Sequence, residues 1–320
     1  IARARTRDLP MVTVLAESFA DFELDAHFDC VTLIGVLEYA NLFVPGENPT
    51  LEMLRRARRL LKKDGVLIVA IENQLGLKYF AGAPEDHIWK TMYGVEERYR
   101  ANEPKTFGAS ELMQIMRAAD FTEIDRFAPF PDYKFPYAIV TESGAHCARF
   151  DAAALASQHA RRDQQMPSEL AFAPERVWPE VGKNELLLEL SNSLLYVASS
   201  SARRLVDGAV LAFNYSTERQ SRYCKQALFS LHDDDGIVVH HTRLDREGST
   251  VESQDVRWHF SEDQQEPYYG GALLQSHLVD CWKTDGWMLS DIASLLKLYL
   301  DELLKSAGLQ SSQITLDIQL

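Results

Sequence analysis

The chain has 320 residues, of which 46% are hydrophobic and 25% are charged, a composition that is ordinary for a globular protein and long enough for two domains. Its formal net charge of −14 argues against a general affinity for nucleic acid or for anionic membranes. No apolar run approaches the roughly 20 residues that cross a bilayer, and the first residues lack the pattern of a signal peptide.

The four cysteines, Cys30, Cys147, Cys224 and Cys281, stand far apart in the sequence. None of them forms a CxxC pair or a Cys/His cluster at metal-ligand spacing. We therefore expect reduced thiols in a cytoplasmic protein, and we expect Cys30, which lies within an apolar run, to belong to the core.

The first two predicted strands lie near the N-terminus. Residues 11–15 are rich in β-branched side chains, and residues 28–34 form an almost unbroken apolar run after Asp29. Such a run is typical of a strand that is covered on both faces, as in a parallel α/β sheet. Ligands of these sheets bind beyond the carboxyl ends of the strands, and Glu38 and Tyr39 follow directly after this run.

A helix and a third strand complete a βαβ unit. The Asn-Pro pair at 48–49 is favourable at the start of a helix, and apolar residues then recur at helical spacing. Residues 66–71 are fully apolar and predict a strand that ends at Glu72 and Asn73. Because the two strands of a βαβ unit run parallel, these two side chains should meet Glu38 at the same edge of the sheet.

A long irregular stretch, residues 74–106, follows this strand and contains Glu85, Asp86 and His87. A loop of this length at the edge of a sheet is usually a lid or a binding loop. No third ligand stands at a useful spacing from Asp86 and His87, so the sequence predicts no metal site. A surface turn held by its own hydrogen bonds is the alternative interpretation of this triplet.

The rest of the chain predicts a second unit. Residues 151–179 lack a clear apolar face and predict a linker or a loosely packed helix. In the proline-flanked bend before it, Asp132 and Lys134 are expected to be structural partners. The further expected elements are helices at 110–119, 186–197 and 288–303 and strands at 122–127, 138–141, 210–215, 226–231, 236–241 and 314–320.

Several motifs within the first 142 residues follow one another in an order known from one enzyme family. They resemble the second half of a class I S-adenosylmethionine (SAM)-dependent methyltransferase, through Phe-Asp at 28–29, Val-Leu-Glu-Tyr at 36–39, the strand at 66–71 and Asp-Phe at 120–121. Residues 71–87 and 131–136 look like methyltransferase domains attached to bacterial surface-polysaccharide proteins, beside glycosyltransferase or kinase-like modules. The family's glycine-rich turn and its ribose-binding acidic residue would lie before Ile1, so we interpret the chain as a fragment.

The resemblance implies SAM as the cofactor and methyl transfer to a hydroxyl or a phosphate of a glycan in cell-surface polysaccharide synthesis. It assigns one set of residues to the cofactor, with the last two also facing the acceptor: Glu17, Ser18, Phe19, Ile34, Gly35, Val36, Glu38 and Tyr39. It assigns Glu72, Asn73 and His87 to the acceptor side, and His87 is the candidate base because its ordinary pKa lies near neutrality. A polar loop residue at Glu17 and a helix cap at Glu38 are the alternatives.

The predicted fold is α/β, with a Rossmann-like methyltransferase sheet, whose N-terminal part is missing, over residues 1–145. A linker at 146–180 and a smaller α+β accessory domain at 181–320 follow. Lys225 and the strands around it faintly resemble a kinase-like fold that is cut short. The alternatives to a methyltransferase are therefore a non-catalytic scaffold module of a multidomain transferase or a truncated kinase-like enzyme. A Gly-x-Gly turn upstream would favour the methyltransferase, and an Asp-x-x-x-x-Asn loop downstream would favour the kinase.

Overall fold

The computed structural model describes residues 1–19, 21–22, 27–201, 206–232, 236–245, 250–252, 257–259, 264–271, 274–284, 286 and 288–306. The chain forms two compact units, Ile1–Tyr268 and Tyr269–Leu320. Among the described residues, no helix combines the length and the hydrophobicity that a membrane crossing requires.

The strands are β1 (Phe28–Ile34), β2 (Leu61–Glu72), β3 (Glu123–Phe130), β4 (Ala138–Thr141), β5 (Ser193–Ser199), β6 (Val210–Ser216), β7 (Lys225–Leu231), β8 (Ile237–Arg243), β9 (Thr250–Glu252), β10 (Arg257–His259) and β11 (Gln264–Pro267). The helices are α1 (Ala2–Arg5), α2 (Ala40–Phe43), α3 (Pro49–Arg59), α4 (Leu77–Phe80), α5 (Ala109–Ala118), α6 (Glu142–Ala145), α7 (Ala152–His159), α8 (Pro174–Lys183), α9 (Leu187–Leu190), α10 (Leu274–Thr284) and α11 (Leu289–Ser306). Short 3-10 turns lie at Leu37–Tyr39, Ala160–Arg162 and Ser221–Tyr223.

Nine of the described strands form one sheet in the order β1-β2-β5-β3-β4-β6-β7-β8-β11. β1 and β2 run parallel, and every other neighbouring pair in this sheet is antiparallel. The fold is therefore mixed α/β. Because β5 lies between β2 and β3, residues on both sides of the predicted boundary at 181 belong to the same sheet.

The predicted βαβ unit is confirmed as β1, α3 and β2. Helix α3 begins with Pro49 at its first turn and buries Met53, Leu54 and Ala57. In β2, Leu67, Val69 and Ile71 are fully buried on the same side of the strand. These side chains share one core with α5, so the apolar face of α3 holds the crossover against the sheet.

Two sequence-based expectations about strands are wrong. Residues 11–15 lie outside any strand and are exposed, with Val12 at 42% and Val14 at 38%. β1 is a strand, but among the described strands it lies at the edge of the sheet, where it pairs with β2 alone. Leu33 is consequently its one buried residue, and Cys30, expected in the core, is exposed.

The helix predicted at 186–197 is also wrong in its second half. Only Leu187–Leu190 are helical, and residues 193–199 form β5. Apolar residues occupy successive positions of β5: Leu194, Tyr196 and Ala198 lie in the core shared with β2 and α3, whereas Leu195 and Val197 on the other face are half-buried. A strand with apolar residues on both faces lacks the two-residue alternation, and its leucines then imitate helical spacing.

Residues 151–179, for which the sequence predicts a linker or a loosely packed helix, pack tightly in the structure. The side chain of Trp178 in α8 is 2% exposed, and its ring meets that of Phe130 edge-on at 5.2 Å between centroids. Ala156 in α7 is fully buried in the same core. The helical face was missed because α7 buries mostly alanines, which give little hydrophobic contrast.

The strands predicted at 210–215, 226–231 and 236–241 are confirmed as β6, β7 and β8. The amphipathic helix predicted at 288–303 is confirmed as α11. The strand predicted at 314–320 lies outside the described residues. The second unit, Tyr269–Leu320, contains α10 and α11 among its described residues.

His159, the last residue of α7, is a buried histidine from which a pH dependence follows. Its Nε2 faces the Asn214 Oδ1 at 3.4 Å, its Nδ1 has no partner, and its ring stacks on Tyr137. Burial lowers the pKa of His159 to about 4, and the nearby Arg162 contributes to this. Below pH 6.5 the unfolded chain therefore binds a proton that the folded chain excludes until about pH 4.

We expect the free energy of unfolding to fall by about 3 kcal/mol between pH 6.5 and 4 because of His159 alone. Urea denaturation of wild type and His159→Gln across this range measures the effect, and the variant should have the smaller pH slope. His146→Gln, at an exposed site, is the matched control. Equal slopes for wild type and His159→Gln would contradict the expectation.

Candidate functional site

The site lies where the parallel strands β1 and β2 reach the same edge of the sheet. After β1 the chain turns at Gly35, whose φ of +61° favours glycine, and enters the 3-10 turn that carries Glu38 and Tyr39. A Cβ at Gly35 would stand 2.7 Å from the Tyr133 hydroxyl, so the turn also has no room for a side chain. β2 ends at Glu72 beside this turn.

Glu38, Glu72 and His87 form the centre of the site. One carboxylate oxygen of each glutamate and one ring nitrogen of His87 all lie within 4.8 Å of one another. The Glu72 Oε2 and the His87 Nε2 are 3.6 Å apart. The structure thus brings together two strand ends and a loop residue that the sequence assigned to one edge.

Tyr39 and the backbone of the loop orient His87. The His87 Nδ1 lies 3.2 Å from the Tyr39 hydroxyl, and the two rings meet edge-on. The backbone N–H of His87 donates to the Glu85 Oε2 at 2.8 Å, so Glu85 stabilises the turn that carries His87. With Nδ1 facing Tyr39, the Nε2 of the ring is left pointing at Glu72.

Lys134 and Tyr133 reach the same site from the bend between β3 and β4. The Lys134 Nζ forms an ion pair with the Glu72 Oε1 and lies 3.4 Å from the Asp86 Oδ1. The Tyr133 hydroxyl donates to the Glu72 Oε1 at 3.3 Å. One oxygen of Glu72 is therefore held by the bend while the other faces His87.

The pKa values of Glu38, Glu72 and His87 are shifted from their ordinary values. Burial raises the pKa of Glu38 to about 7, and the Glu72 charge adds to this. Burial works against ionisation of Glu72 and of His87 as well, but their mutual interaction outweighs it. As a result, the pKa of Glu72 is lowered, with Lys134 contributing, and the pKa of His87 is raised.

Lys78 anchors the loop that carries His87. Its side chain is 0% exposed, with the Nζ 3.2 Å from the Asp86 Oδ2 and 3.7 Å from the Asp163 Oδ2. The Nζ also donates to the Gln165 Oε1 at 2.8 Å, and the Tyr79 hydroxyl donates to Asp86. Asp86, one residue before His87, thus connects this buried network to Lys134.

Asn73 is fully engaged by the backbone. Its Nδ2 donates to the carbonyls of Glu189 and Ser191, both at 2.8 Å, and its Oδ1 accepts from the Leu75 N–H at 3.0 Å. The residue is 0% exposed. These bonds tie the end of β2 to the segment that leads into β5, so the amide of Asn73 has no donor left for a substrate.

The remaining residues assigned to the cofactor lie on more open surface. Glu17 and Ser18 are exposed in a segment outside the sheet, and Phe19 packs against the core that β2, α3 and α5 share. Ile34 and Val36 flank Gly35 and are 54% and 41% exposed. They form an apolar surface at the carboxyl end of β1, next to the cluster.

A cavity of about 110 Å³ opens on the other side of Lys134. Lys134 and Arg162 bring positive charge to its wall, and Asp132 and Asp163 bring negative charge, beside Pro131 and Phe135. The cavity is small, with room for a few heavy atoms of a ligand.

Sequence reasoning missed the role of Lys134 and the number of groups around His87. Lys134 was expected to pair with Asp132, which it does at 3.7 Å, but it also neutralises Glu72. The sequence near Asp86 and His87 offers no third ligand. In the structure, Glu38 and Glu72 reach His87 from the ends of two strands. Acidic residues at the ends of the two strands of one βαβ unit are the sequence signal for this arrangement.

No protein-family model matches this chain, and no curated protein sequence matches it. Among solved structures, it is similar to a SAM-dependent methyltransferase, possible histamine N-methyltransferase, from Thermotoga maritima. The two chains are 16% identical over 62% of this chain and 68% of that chain, with a TM-score of 0.33. A likeness of this size supports no conclusion about activity.

Proposed function

We propose that this chain belongs to a SAM-dependent methyltransferase that acts on a hydroxyl or a phosphate of a glycan in cell-surface polysaccharide synthesis. One observation carries the proposal: the two stretches most similar to polysaccharide-linked methyltransferase domains meet at one site. The first stretch supplies Glu72 and His87, and the second supplies Lys134, which pairs with Glu72. A role in placing an acceptor explains why segments so far apart in the chain converge there.

The residues on the cofactor side fit one wall of a SAM site. Ile34 and Val36 offer exposed apolar surface at the carboxyl end of β1, where α/β sheets bind ligands. Glu17 is exposed and offers a carboxylate acceptor for an adenine amine. Bound SAM would supply a methyl group that is activated by its sulfonium.

The chain's own residues position the acceptor and accept its proton. An acceptor hydroxyl must lose a proton, whereas a phosphate oxygen need not, so only the first acceptor needs a base. The His87 side chain is 12% exposed and that of Glu72 is 1% exposed. His87 is therefore the group that an acceptor can reach, and Nε2 would take the proton while Glu72 stabilises the resulting charge. Asn73 positions the end of β2 without touching the acceptor.

The proposal is tested by calorimetric measurement of SAM binding to the complete natural protein that contains these residues. We expect a micromolar dissociation constant that rises tenfold or more in Glu17→Ala, equivalent to about 1.4 kcal/mol. Glu47→Ala, which removes another exposed loop carboxylate, is the matched control and should bind SAM as the wild type does. Absence of binding would overturn the proposal and leave the non-catalytic scaffold as the leading function.

A further inference from the structure

We propose that Glu38, Glu72 and His87 bind a divalent transition-metal cation. This inference concerns the cation alone and does not rest on the proposed methyl transfer. It reverses the expectation, drawn from sequence spacing, that the chain has no metal site.

The three side chains have the separation that a metal site needs. Their ligand atoms lie within 4.8 Å of one another. Metal–oxygen and metal–nitrogen bonds of about 2.0–2.2 Å place neighbouring ligands about 3 Å apart and opposite ligands about 4 Å apart. Small rotations of Glu38 and His87 would therefore close the cluster around one ion.

Buried polar atoms without partners point into this cluster. Glu38 is 2% exposed and Glu72 is 1% exposed, yet the Oε2 of each has no hydrogen-bond partner. The His87 Nε2 also lacks one, because it faces the Glu72 Oε2 at 3.6 Å, beyond hydrogen-bonding distance. Buried polar atoms are almost always hydrogen-bonded, so three that are not, all in one place, suggest a missing common partner. A cation between them satisfies all three at once.

The surroundings hold each ligand in the orientation that coordination requires. Tyr39 faces the Nδ1 of His87, which leaves Nε2 for the ion, and such a partner on the second ring nitrogen is usual for a metal-bound histidine. Lys134 and Tyr133 occupy the Glu72 Oε1 and leave its Oε2 free. Lys134 neutralises one of the two carboxylates, so a divalent ion would face a moderate negative charge.

Two carboxylates and one imidazole select among cations. Mg²⁺ and Ca²⁺ prefer oxygen ligands alone, whereas Mn²⁺ and Zn²⁺ accept carboxylate and imidazole together. Three protein ligands also leave coordination positions open for water or substrate. The site therefore fits Mn²⁺ or Zn²⁺ better than Mg²⁺. When an ion occupies it, the lone pair of the His87 Nε2 is used, and His87 cannot then serve as the base.

The test is titration of the chelator-treated full chain with MnCl₂ by calorimetry, repeated with MgCl₂. We expect one Mn²⁺ per chain and at least tenfold weaker binding of Mg²⁺. Glu38→Gln and His87→Gln should each weaken Mn²⁺ binding tenfold or more while the chain stays folded by circular dichroism. His241→Gln is the matched control, because His241 also pairs with a carboxylate, Glu266 at 2.8 Å.

A spectroscopic signature separates this site from adventitious binding. Bound Mn²⁺ should show the spin-echo modulation of a coordinated imidazole nitrogen, and His87→Gln should abolish it while His241→Gln leaves it intact. Unchanged Mn²⁺ affinity in both Glu38→Gln and His87→Gln would overturn the inference, as would no binding by the folded wild type at millimolar Mn²⁺. These outcomes do not depend on whether the protein binds SAM.

Discussion

Replacing Lys78 by methionine is expected to lower the free energy of unfolding by about 3–5 kcal/mol, the usual cost of breaking a buried ion pair. The side chain of Lys78 is 0% exposed, and its Nζ lies between the carboxylates of Asp86 and Asp163. Methionine preserves most of the side-chain volume but removes the cation between two buried carboxylates, of which Asp86 keeps the Lys134 Nζ at 3.4 Å. The loss should therefore come from uncompensated charge and not from a cavity.

Urea denaturation at neutral pH measures this change. Lys183→Met is the matched control, because Lys183 pairs with Glu180 at 3.6 Å on the exposed face of α8. An exposed pair of this kind contributes up to about 1 kcal/mol. Adding Asp163→Asn to Lys78→Met should recover part of the lost stability, since it removes the carboxylate charge whose ion-pair partner was Lys78. Similar midpoints for Lys78→Met and Lys183→Met would show that the buried network is not ionic.

The second large effect is expected in catalysis. If the proposed methyl transfer is correct and His87 acts as the base, His87→Gln should lower kcat for a hydroxyl acceptor by about 10²–10⁴. The loss for a phosphate acceptor should stay below tenfold, since that oxygen has no proton to give up. The dissociation constant of SAM should not change, because His87 lies on the acceptor side.

Methyl transfer from labelled SAM to glycan acceptors with free hydroxyl or phosphate ends measures these rates. Measuring them with Mn²⁺ and after chelation separates the base from the metal ligand. If His87 is a base, His87→Gln should lower kcat in the chelated protein. If His87 is only a metal ligand, the substitution should lower kcat only in the Mn²⁺-loaded protein. His146→Gln, at an exposed position, should match the wild type. Equal losses for both acceptors would contradict the role of His87 as a base.

How far the sequence predicts this fold depends on how local the determining contacts are. The β1–α3–β2 unit follows from a proline start, a helical apolar face and a short fully apolar strand, all within residues 28–72. β5 does not, because its place between β2 and β3 is a contact with distant residues. Apolar residues on both of its faces then remove the sequence alternation that would have marked it as a strand.

The residues of the candidate site also differ in whether local or distant contacts determine their positions. Glu38 and Glu72 could be placed together because the strands before them are parallel neighbours. Lys134 could not, since nothing in its local sequence says that the bend folds back over Glu72. Asn73 was assigned to the acceptor by position alone, whereas its amide is used by carbonyls of Glu189 and Ser191, which follow it by more than a third of the chain.

The central place of β5 also constrains how this protein can be made. Val66 in β2 pairs with Ser199, and Glu123 in β3 pairs with the same residue from the other side. During synthesis the ribosome therefore produces both flanking strands long before the strand that joins them. Until residue 199 emerges, two facing edges expose unpaired backbone groups, which favour pairing with other chains. Such late, long-range pairing slows folding and leaves the nascent chain exposed to aggregation during that interval.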